Sequence, residues 1–143
     1  MHLAEFLALM CAGLFAGAAL YINLAEHPAR MGRDTRVALE VWAPSYALAT
    51  RMQAPLALCA LACGALAWWL GAGASWLVAG LLIGAVVPFT LAVMMPVNKA
   101  LLTHGRIAST ETRGLLTRWG RLHAVRSVLA LGAFALMAWR IGA

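Results

Sequence analysis

Seven residues of types that can do chemistry interrupt an otherwise apolar chain. They are Asn23, Glu26 and His27 near the amino end, Asn98 further along, and Trp119, His123 and Arg126 near the carboxyl end. On a helix, Trp119, His123 and Arg126 would share one face. His123 is suited to accept a proton near neutral pH, although a histidine in such a position can also be a hydrogen-bonded structural residue. We expect Arg126 to face the protein interior and to pair with Glu26 or with free backbone carbonyls.

The elements that position these residues are predicted to be membrane helices. The chain has 143 residues, of which 64% are hydrophobic and 11% charged, which is too apolar for a soluble domain of this size. Apolar runs long enough to cross about 30 Å of hydrocarbon fall at residues 3–25, 48–70, 76–95 and 118–139. The sequence therefore predicts one all-α domain over residues 1–143, an integral membrane four-helix bundle.

The net charge of +6 is distributed as a topology signal and does not indicate a nucleic-acid partner. Basic residues concentrate in the first and third connections, while the second connection carries no charge. The positive-inside rule then makes both long basic connections cytoplasmic and places both termini outside. We expect an integral protein of a bacterial inner membrane, with the lipid bilayer and a hydrophobic small molecule as its partners. His104 and Arg106 are predicted to be solvated in the third connection, and His2 is terminal.

Two prolines follow apolar helices and predict a helix end or a kink. Pro28 follows the first helix and Pro96 follows the third, and each removes an amide donor. Arg30 would join the polar face only if the first helix continued through Pro28, so we assign Arg30, like Arg51, to topology and snorkelling. Residues 31–43 are predicted to form a short helix on the inner surface, capped by Asp34 and ended by a turn at residues 44–45.

A metal or a haem is a weaker interpretation of the same residues. Glu26, His27 and His123 are suitable ligand types, but no paired Glu-x-x-His motif occurs, and a haem between the two histidines is disfavoured. The cysteines fall inside apolar helices, where small buried hydrophobes are favoured over a soft-metal site; they are Cys11, Cys59 and Cys63. We therefore predict no metal and no cofactor.

Three segments in order carry a resemblance to a known family. They are Gly13 to Arg30, with Leu20-Tyr21-Ile22-Asn23-Leu24-Ala25-Glu26-His27-Pro28 at their centre, then Pro96-Val97-Asn98, and then Trp119-Gly120-Arg121-Leu122-His123-Ala124-Val125-Arg126. This pattern resembles the anthrone oxygenase-like family of small four-helix membrane proteins, much of which is a domain of unknown function. Characterised fungal relatives convert anthrones to anthraquinones with molecular oxygen, without metal or flavin.

The resemblance implies roles for the seven residues. His123 would be the base that makes an enolate, Arg126 and Asn98 would stabilise the oxyanion, and Trp119 would stack on an aromatic substrate. Asn23 and Glu26 would orient His123 or its partners, and His27 would contact substrate. The resemblance thus implies a lipophilic aromatic or quinone-like substrate in an inner-leaflet pocket.

Alternatives of other classes remain open at this point. A non-enzymatic module would bind a lipid, a quinone or a partner helix, with Glu26, His123 and Arg126 as a structural polar lock. Transport is disfavoured, because the cluster lies toward one end of the helices instead of along a path. Small residues spaced by four at Gly13 and Gly17, and at Gly80 and Gly84, favour packing inside the bundle over assembly of a homo-oligomer.

Overall fold

Four long helices make up the computed structural model, which describes residues 3–103 and 107–142. The helices are α1 (Leu3–Met31), α2 (Thr35–Trp69), α3 (Ala74–Thr103) and α4 (Thr110–Gly142), and each is long and apolar enough to cross a membrane. The described residues contain no strand. The predicted all-α, four-helix membrane architecture is confirmed. His2, His104 and Arg106 lie outside the described residues.

The helices form a ring in which each contacts two neighbours. α1 packs on α2 and α4, and α3 packs on the same two helices. One core cluster is rich in alanine, including Ala8, Ala60 and Ala133, which lets the helix backbones approach closely. A second cluster contains large side chains, including Trp42 and Trp119. Gln53 on α2 and His123 and Ser127 on α4 are buried between these two clusters.

Caps and glycines define where the helices begin and turn. Asp34 Oδ1 accepts a hydrogen bond from the Val37 amide at 2.9 Å, so Asp34 is the predicted cap. Ser109 Oγ accepts from the Thr112 amide at 3.1 Å and caps α4 in the same way. Between α2 and α3, Gly71 and Gly73 have φ of 88° and 106°, a backbone geometry that favours glycine.

The predicted short surface helix over residues 31–43 is instead the beginning of α2. α2 is 35 residues long and continues through Pro44 and Pro55, so no turn occurs at residues 44–45. The reason is a single buried face, because Ala38 and Trp42 are in helical register with Ala57 further along and are all fully buried. Burial of that face outweighs the amide donors that the two prolines lack.

Helices α1 and α3 also continue past their prolines, each through a π-helical turn. The turns span Ile22–Glu26 and Thr90–Met94, and each ends two residues before a proline. In each case the residue before the proline donates its amide to a carbonyl five residues back: His27 to Ile22, and Met95 to Thr90. The prolines therefore change the backbone hydrogen bonding without ending the helices.

Three of the four glycines in the small-residue motifs, Gly13, Gly80 and Gly84, pack against a neighbouring helix. A Cβ added at Gly80 would lie 3.2 Å from the Leu61 carbonyl oxygen, and one added at Gly13 would lie 3.0 Å from the Phe134 ring. Gly17 has nothing within 4 Å of such an atom. The cysteines are partly buried and free, and the Sγ atoms of Cys59 and Cys63 are 3.9 Å apart.

Candidate functional site

A hydrogen-bond network joins α1 to α4 through Asn23. Its amide Nδ2 donates to the Gly120 carbonyl at 3.0 Å, and its Oδ1 lies 2.7 Å from His123 Nδ1. The Ser127 hydroxyl donates to the same Oδ1 at 2.6 Å. His123 is 1% exposed and Ser127 is 4% exposed. A half-buried amide with these three hydrogen bonds in place holds the histidine ring in one orientation.

The network also assigns the histidine tautomer. Because Asn23 Nδ2 donates to a backbone carbonyl, the atom facing His123 is the amide oxygen, which only accepts hydrogen bonds. The proton of neutral His123 is therefore on Nδ1, and Nε2 carries the lone pair. No hydrogen bond from another described residue reaches Nε2. His123 Nε2 is thus oriented as a proton acceptor.

Aromatic rings surround His123 on one side. The rings of Trp119 and His123 are stacked with centroids 4.9 Å apart, and His27 lies 5.2 Å from Trp119 on a tilted plane. Trp42 contacts Trp119 edge-on at 5.9 Å. His27 Nδ1 and Trp119 Nε1 are buried without a hydrogen-bond partner among the described residues. In this structure Trp119 therefore stacks on protein rings.

Glu26 pairs with Arg30, whereas the sequence predicted a pair with Arg126. Within α1, Arg30 Nη2 forms an ion pair with Glu26 Oε1. The Ser45 hydroxyl on α2 donates a hydrogen bond to the same oxygen and so connects the two helices. Arg30 also lies over the Trp119 ring, 5.8 Å from its centroid, and is only 4% exposed. The assignment of Arg30 to topology is wrong, because α1 continues through Pro28 and carries the guanidinium into the bundle. Arg51, by contrast, is exposed.

Arg126 faces the bundle interior but has a different partner from the one predicted. Its Nη2 donates to Gln53 Oε1 at 2.9 Å, and its guanidinium lies 5.5 Å from the Phe15 ring centroid. Arg126 Nε is buried and has no partner among the described residues. The polar lock between Glu26 and Arg126 is therefore absent, since each of these residues pairs elsewhere.

Asn98 is fully buried and contacts α2. Its Nδ2 donates to the Tyr46 hydroxyl oxygen at 3.2 Å, whereas its Oδ1 is buried without a partner among the described residues. Tyr46 stacks on Trp42 with ring centroids 5.1 Å apart. Asn98 is thereby linked to the aromatic group of Trp42 and Trp119.

A cavity of about 150 Å³ lies beside this polar group, between α2 and α3. Arg126 is in its wall, while His123 is not. The wall residues are mostly apolar, and they are Phe15, Tyr46, Thr50, Ala54, Ala57, Val86, Val87, Thr90, Leu91, Met95 and Arg126. Arg126 therefore connects the hydrogen-bonded interior to the space in which an apolar molecule could lie.

Some of the predicted site residues contact one another in the structure, and others have partners elsewhere. His27, Asn23, Trp119 and His123 are in direct contact or one contact apart. Glu26, Asn98 and Arg126 each form a hydrogen bond to a different residue outside that group, and Asn23 also binds Ser127. Sequence reasoning missed these partners, which are Ser45, Tyr46, Gln53 and Ser127. Only Ser127 carried a local signal, because it lies one helical turn after His123.

Metal ligation was considered for the same residues. In the part of the chain that the structure describes, no group of three or more His, Cys, Asp or Glu side chains could hold a metal ion. Asn23, Gln53 and Arg126 form hydrogen bonds to other side chains, and Asn23 also donates to a backbone carbonyl. The geometry thus offers a proton acceptor and a buried cation near an apolar cavity.

Comparison with known proteins adds an independent observation. The family model described as anthrone oxygenase matches residues 42–136. The anthrone oxygenase tpcL of Aspergillus fumigatus is 43% identical to this chain over 65 residues, which are 43% of this chain and 40% of that protein. The match thus spans less than half the length of that relative. No solved structure matches the chain.

Proposed function

This chain belongs to the anthrone oxygenase family, and from that premise we propose that it is a membrane-embedded oxygenase for a lipophilic aromatic substrate of the anthrone type. The reaction would convert the acidic methylene of the substrate to a carbonyl with molecular oxygen. For anthrone itself, one O₂ is consumed, and anthraquinone and one water are produced. We propose that the reaction needs no metal or organic cofactor.

The observation that supports this proposal is the orientation of His123. Asn23 holds the proton on Nδ1, so that Nε2 is the basic nitrogen. Removal of a methylene proton by Nε2 gives an aromatic enolate, which is electron-rich enough to react with O₂ at carbon. The resulting hydroperoxide loses water to give the quinone, and the proton taken by His123 is available for that water.

Arg126 supports the enolate step by its charge. It lies three residues from His123 on α4, and its guanidinium forms part of the cavity wall. An enolate oxygen in an apolar cavity would be stabilised by such a cation much more than in water. We propose Arg126 as the group that binds this oxygen, with Trp119 and His27 packing around the base and Asn98 acting through Tyr46.

The test is oxygen uptake by purified protein in detergent with an anthrone as substrate. His123→Gln should lower the rate at least about 100-fold, since general-base catalysis typically contributes that much. Arg121→Gln, on an exposed position of the same helix, is the control for Arg126→Gln and should keep the rate. Near wild-type turnover by His123→Gln would contradict the proposal. Tight anthrone binding without oxygen uptake by the wild type would instead favour a binding module.

We also propose an orientation in a bacterial inner membrane, with both termini outside. The basic first and third connections support it, since such connections are retained in the cytoplasm. Reporter fusions after Ala143 test it. Periplasmic alkaline phosphatase should be active there, while a fusion that is active only with a cytoplasmic reporter would reverse the orientation.

A further inference from the structure

The cavity between α2 and α3 has four polar side chains in its wall, of which one is a cation and none is an acid. Two of its four polar residues are satisfied locally. Thr50 Oγ1 donates to the Tyr46 carbonyl at 2.8 Å, and Thr90 Oγ1 donates to the Val86 carbonyl at 2.6 Å. Their protons are therefore not available to a ligand.

The other two polar residues keep donors for a ligand. The Tyr46 oxygen accepts from Asn98 Nδ2, so its own O–H remains to donate. Arg126 uses Nη2 on Gln53, and its delocalised charge remains part of the cavity wall. Both residues belong to the same cavity wall. A neutral donor and a cation in one apolar space match a ligand oxygen that accepts hydrogen bonds.

The cavity is also open toward the membrane side of the bundle. Thr50 and Ala54 on α2 and Leu91 on α3 are all in its wall and are exposed. A space of about 150 Å³ holds roughly one aromatic ring. A larger ring system would therefore place only its oxygen-bearing part inside and leave the rest in the opening between α2 and α3.

We propose that this cavity is a lateral entry and binding site for a polycyclic aromatic molecule with one anionic or carbonyl oxygen, and that Tyr46 is its specificity-determining residue. The aromatic identity of the ligand rests on the proposed function, whereas the preference for an accepting oxygen rests on the cavity wall. Tyr46 and Arg126 bind the oxygen together, and the charge of Arg126 disfavours a cationic ligand.

Binding of three anthracene probes tests this preference without any turnover. The probes are 9-anthracenecarboxylate, 9-anthracenemethylammonium and anthracene, and their fluorescence anisotropy is followed with protein in a nonionic detergent. The carboxylate should bind at least tenfold more tightly than the ammonium. Tyr46→Phe should weaken carboxylate binding about tenfold, as should Arg126→Gln, because each removes a hydrogen bond to a charged group. Tyr21→Phe, at an exposed tyrosine outside the cavity, should leave the affinity unchanged.

Several outcomes would overturn the proposal. Equal affinities for the carboxylate and the ammonium would show that the cavity has no preference for an acceptor. Equal affinities of Tyr46→Phe and Tyr21→Phe would remove Tyr46 from recognition, provided that both variants keep the wild-type circular dichroism. Displacement of the probe by laurate at the same concentration as by unlabelled aromatic acid would assign the site to lipid carboxylates instead.

The same measurements separate this inference from the oxygenase proposal. Carboxylate affinity and oxygen uptake are both measured on the wild type and on Tyr46→Phe. Oxygen uptake without Tyr46-dependent binding would refute the binding site alone. Tyr46-dependent binding without oxygen uptake in the wild type would refute the oxygenase alone.

Discussion

Replacement of Asn23 by Leu should weaken the bundle and the candidate site together. Leu has nearly the same size but cannot replace the three hydrogen bonds to Gly120, His123 and Ser127. Side-chain hydrogen bonds between membrane helices contribute about 0.6 kcal/mol each on average. The expected loss in the free energy of unfolding is therefore about 2 kcal/mol.

The structure also indicates how that loss is distributed. Ser127 can turn its hydroxyl to the His123 carbonyl, which lies 3.3 Å away, so it keeps a partner in the variant. The Gly120 carbonyl lies inside helix α4 and still accepts its backbone hydrogen bond in the variant. His123 Nδ1 alone loses its only hydrogen-bond partner among the described residues. The histidine should then lose its fixed tautomer and orientation, and oxygen uptake should fall with stability.

The assay is unfolding by sodium dodecyl sulfate in mixed micelles, followed by circular dichroism, on four proteins. They are the wild type, Asn23→Leu, Ser127→Ala and the double variant. Ser127→Ala should cost about 0.6 kcal/mol or less, and the two changes should be less than additive because they share one bond. An Asn23→Leu protein within about 0.5 kcal/mol of wild type, or a strictly additive cycle, would refute the network as a structural element.

Three further predictions concern backbone approach and charge. Gly120→Ala should displace His27 and change the Trp119 fluorescence, because the added Cβ would lie 2.5 Å from His27 Nε2. Gly132→Ala is the control and should behave as wild type, because nothing lies within 4 Å of its Cβ. Identical fluorescence spectra for the two variants would contradict this prediction. Gly64→Ala should lower the free energy of unfolding by about 1 to 3 kcal/mol, because its Cβ would lie 2.8 Å from the Trp76 carbonyl oxygen. Gly17→Ala, which has nothing within 4 Å of its Cβ, is the control. Equal unfolding midpoints for the two variants would contradict close packing of α2 on α3. Glu26→Gln should lower the free energy of unfolding by up to about 3 kcal/mol, because it leaves the Arg30 charge buried without its ion pair. The double variant Glu26→Leu with Arg30→Leu removes both charges and should recover stability in the same unfolding assay. A double variant less stable than Glu26→Gln would contradict this prediction.

The helix number and the burial of His123 and Arg126 could be predicted from hydropathy and from the cost of ionisable groups in hydrocarbon. The continuation of α1 past Pro28 could not be. Local rules say that a proline disfavours the helix before it, but a membrane helix keeps its hydrogen bonds wherever burial allows. These local rules assign Arg30 to topology and snorkelling. In the structure its guanidinium lies over the Trp119 ring.

The partners of the predicted residues were hidden for a different reason. Gln53 meets Arg126 across 73 positions of sequence, and Asn98 meets Tyr46 across 52. Such pairs depend on which helices are neighbours and on their rotation, and a single sequence carries neither. The sequence predicts Glu26 or free backbone carbonyls as the partners of Arg126. Arg30, four residues away on the same helix, satisfies Glu26 first.

The two π-helical turns connect the backbone to the site more directly than any single side chain. The first turn carries Asn23 and Glu26, which form the network and the ion pair, and the second carries Thr90 and Leu91 in the cavity wall. Irregular backbone at membrane depth is tolerated where it is buried in protein or lines a cavity, and π turns are frequent at functional sites. Pro28 and Pro96 follow these turns at the same distance. The prolines are therefore better understood as fixing the turns that shape both sides of the site than as marking the ends of membrane helices.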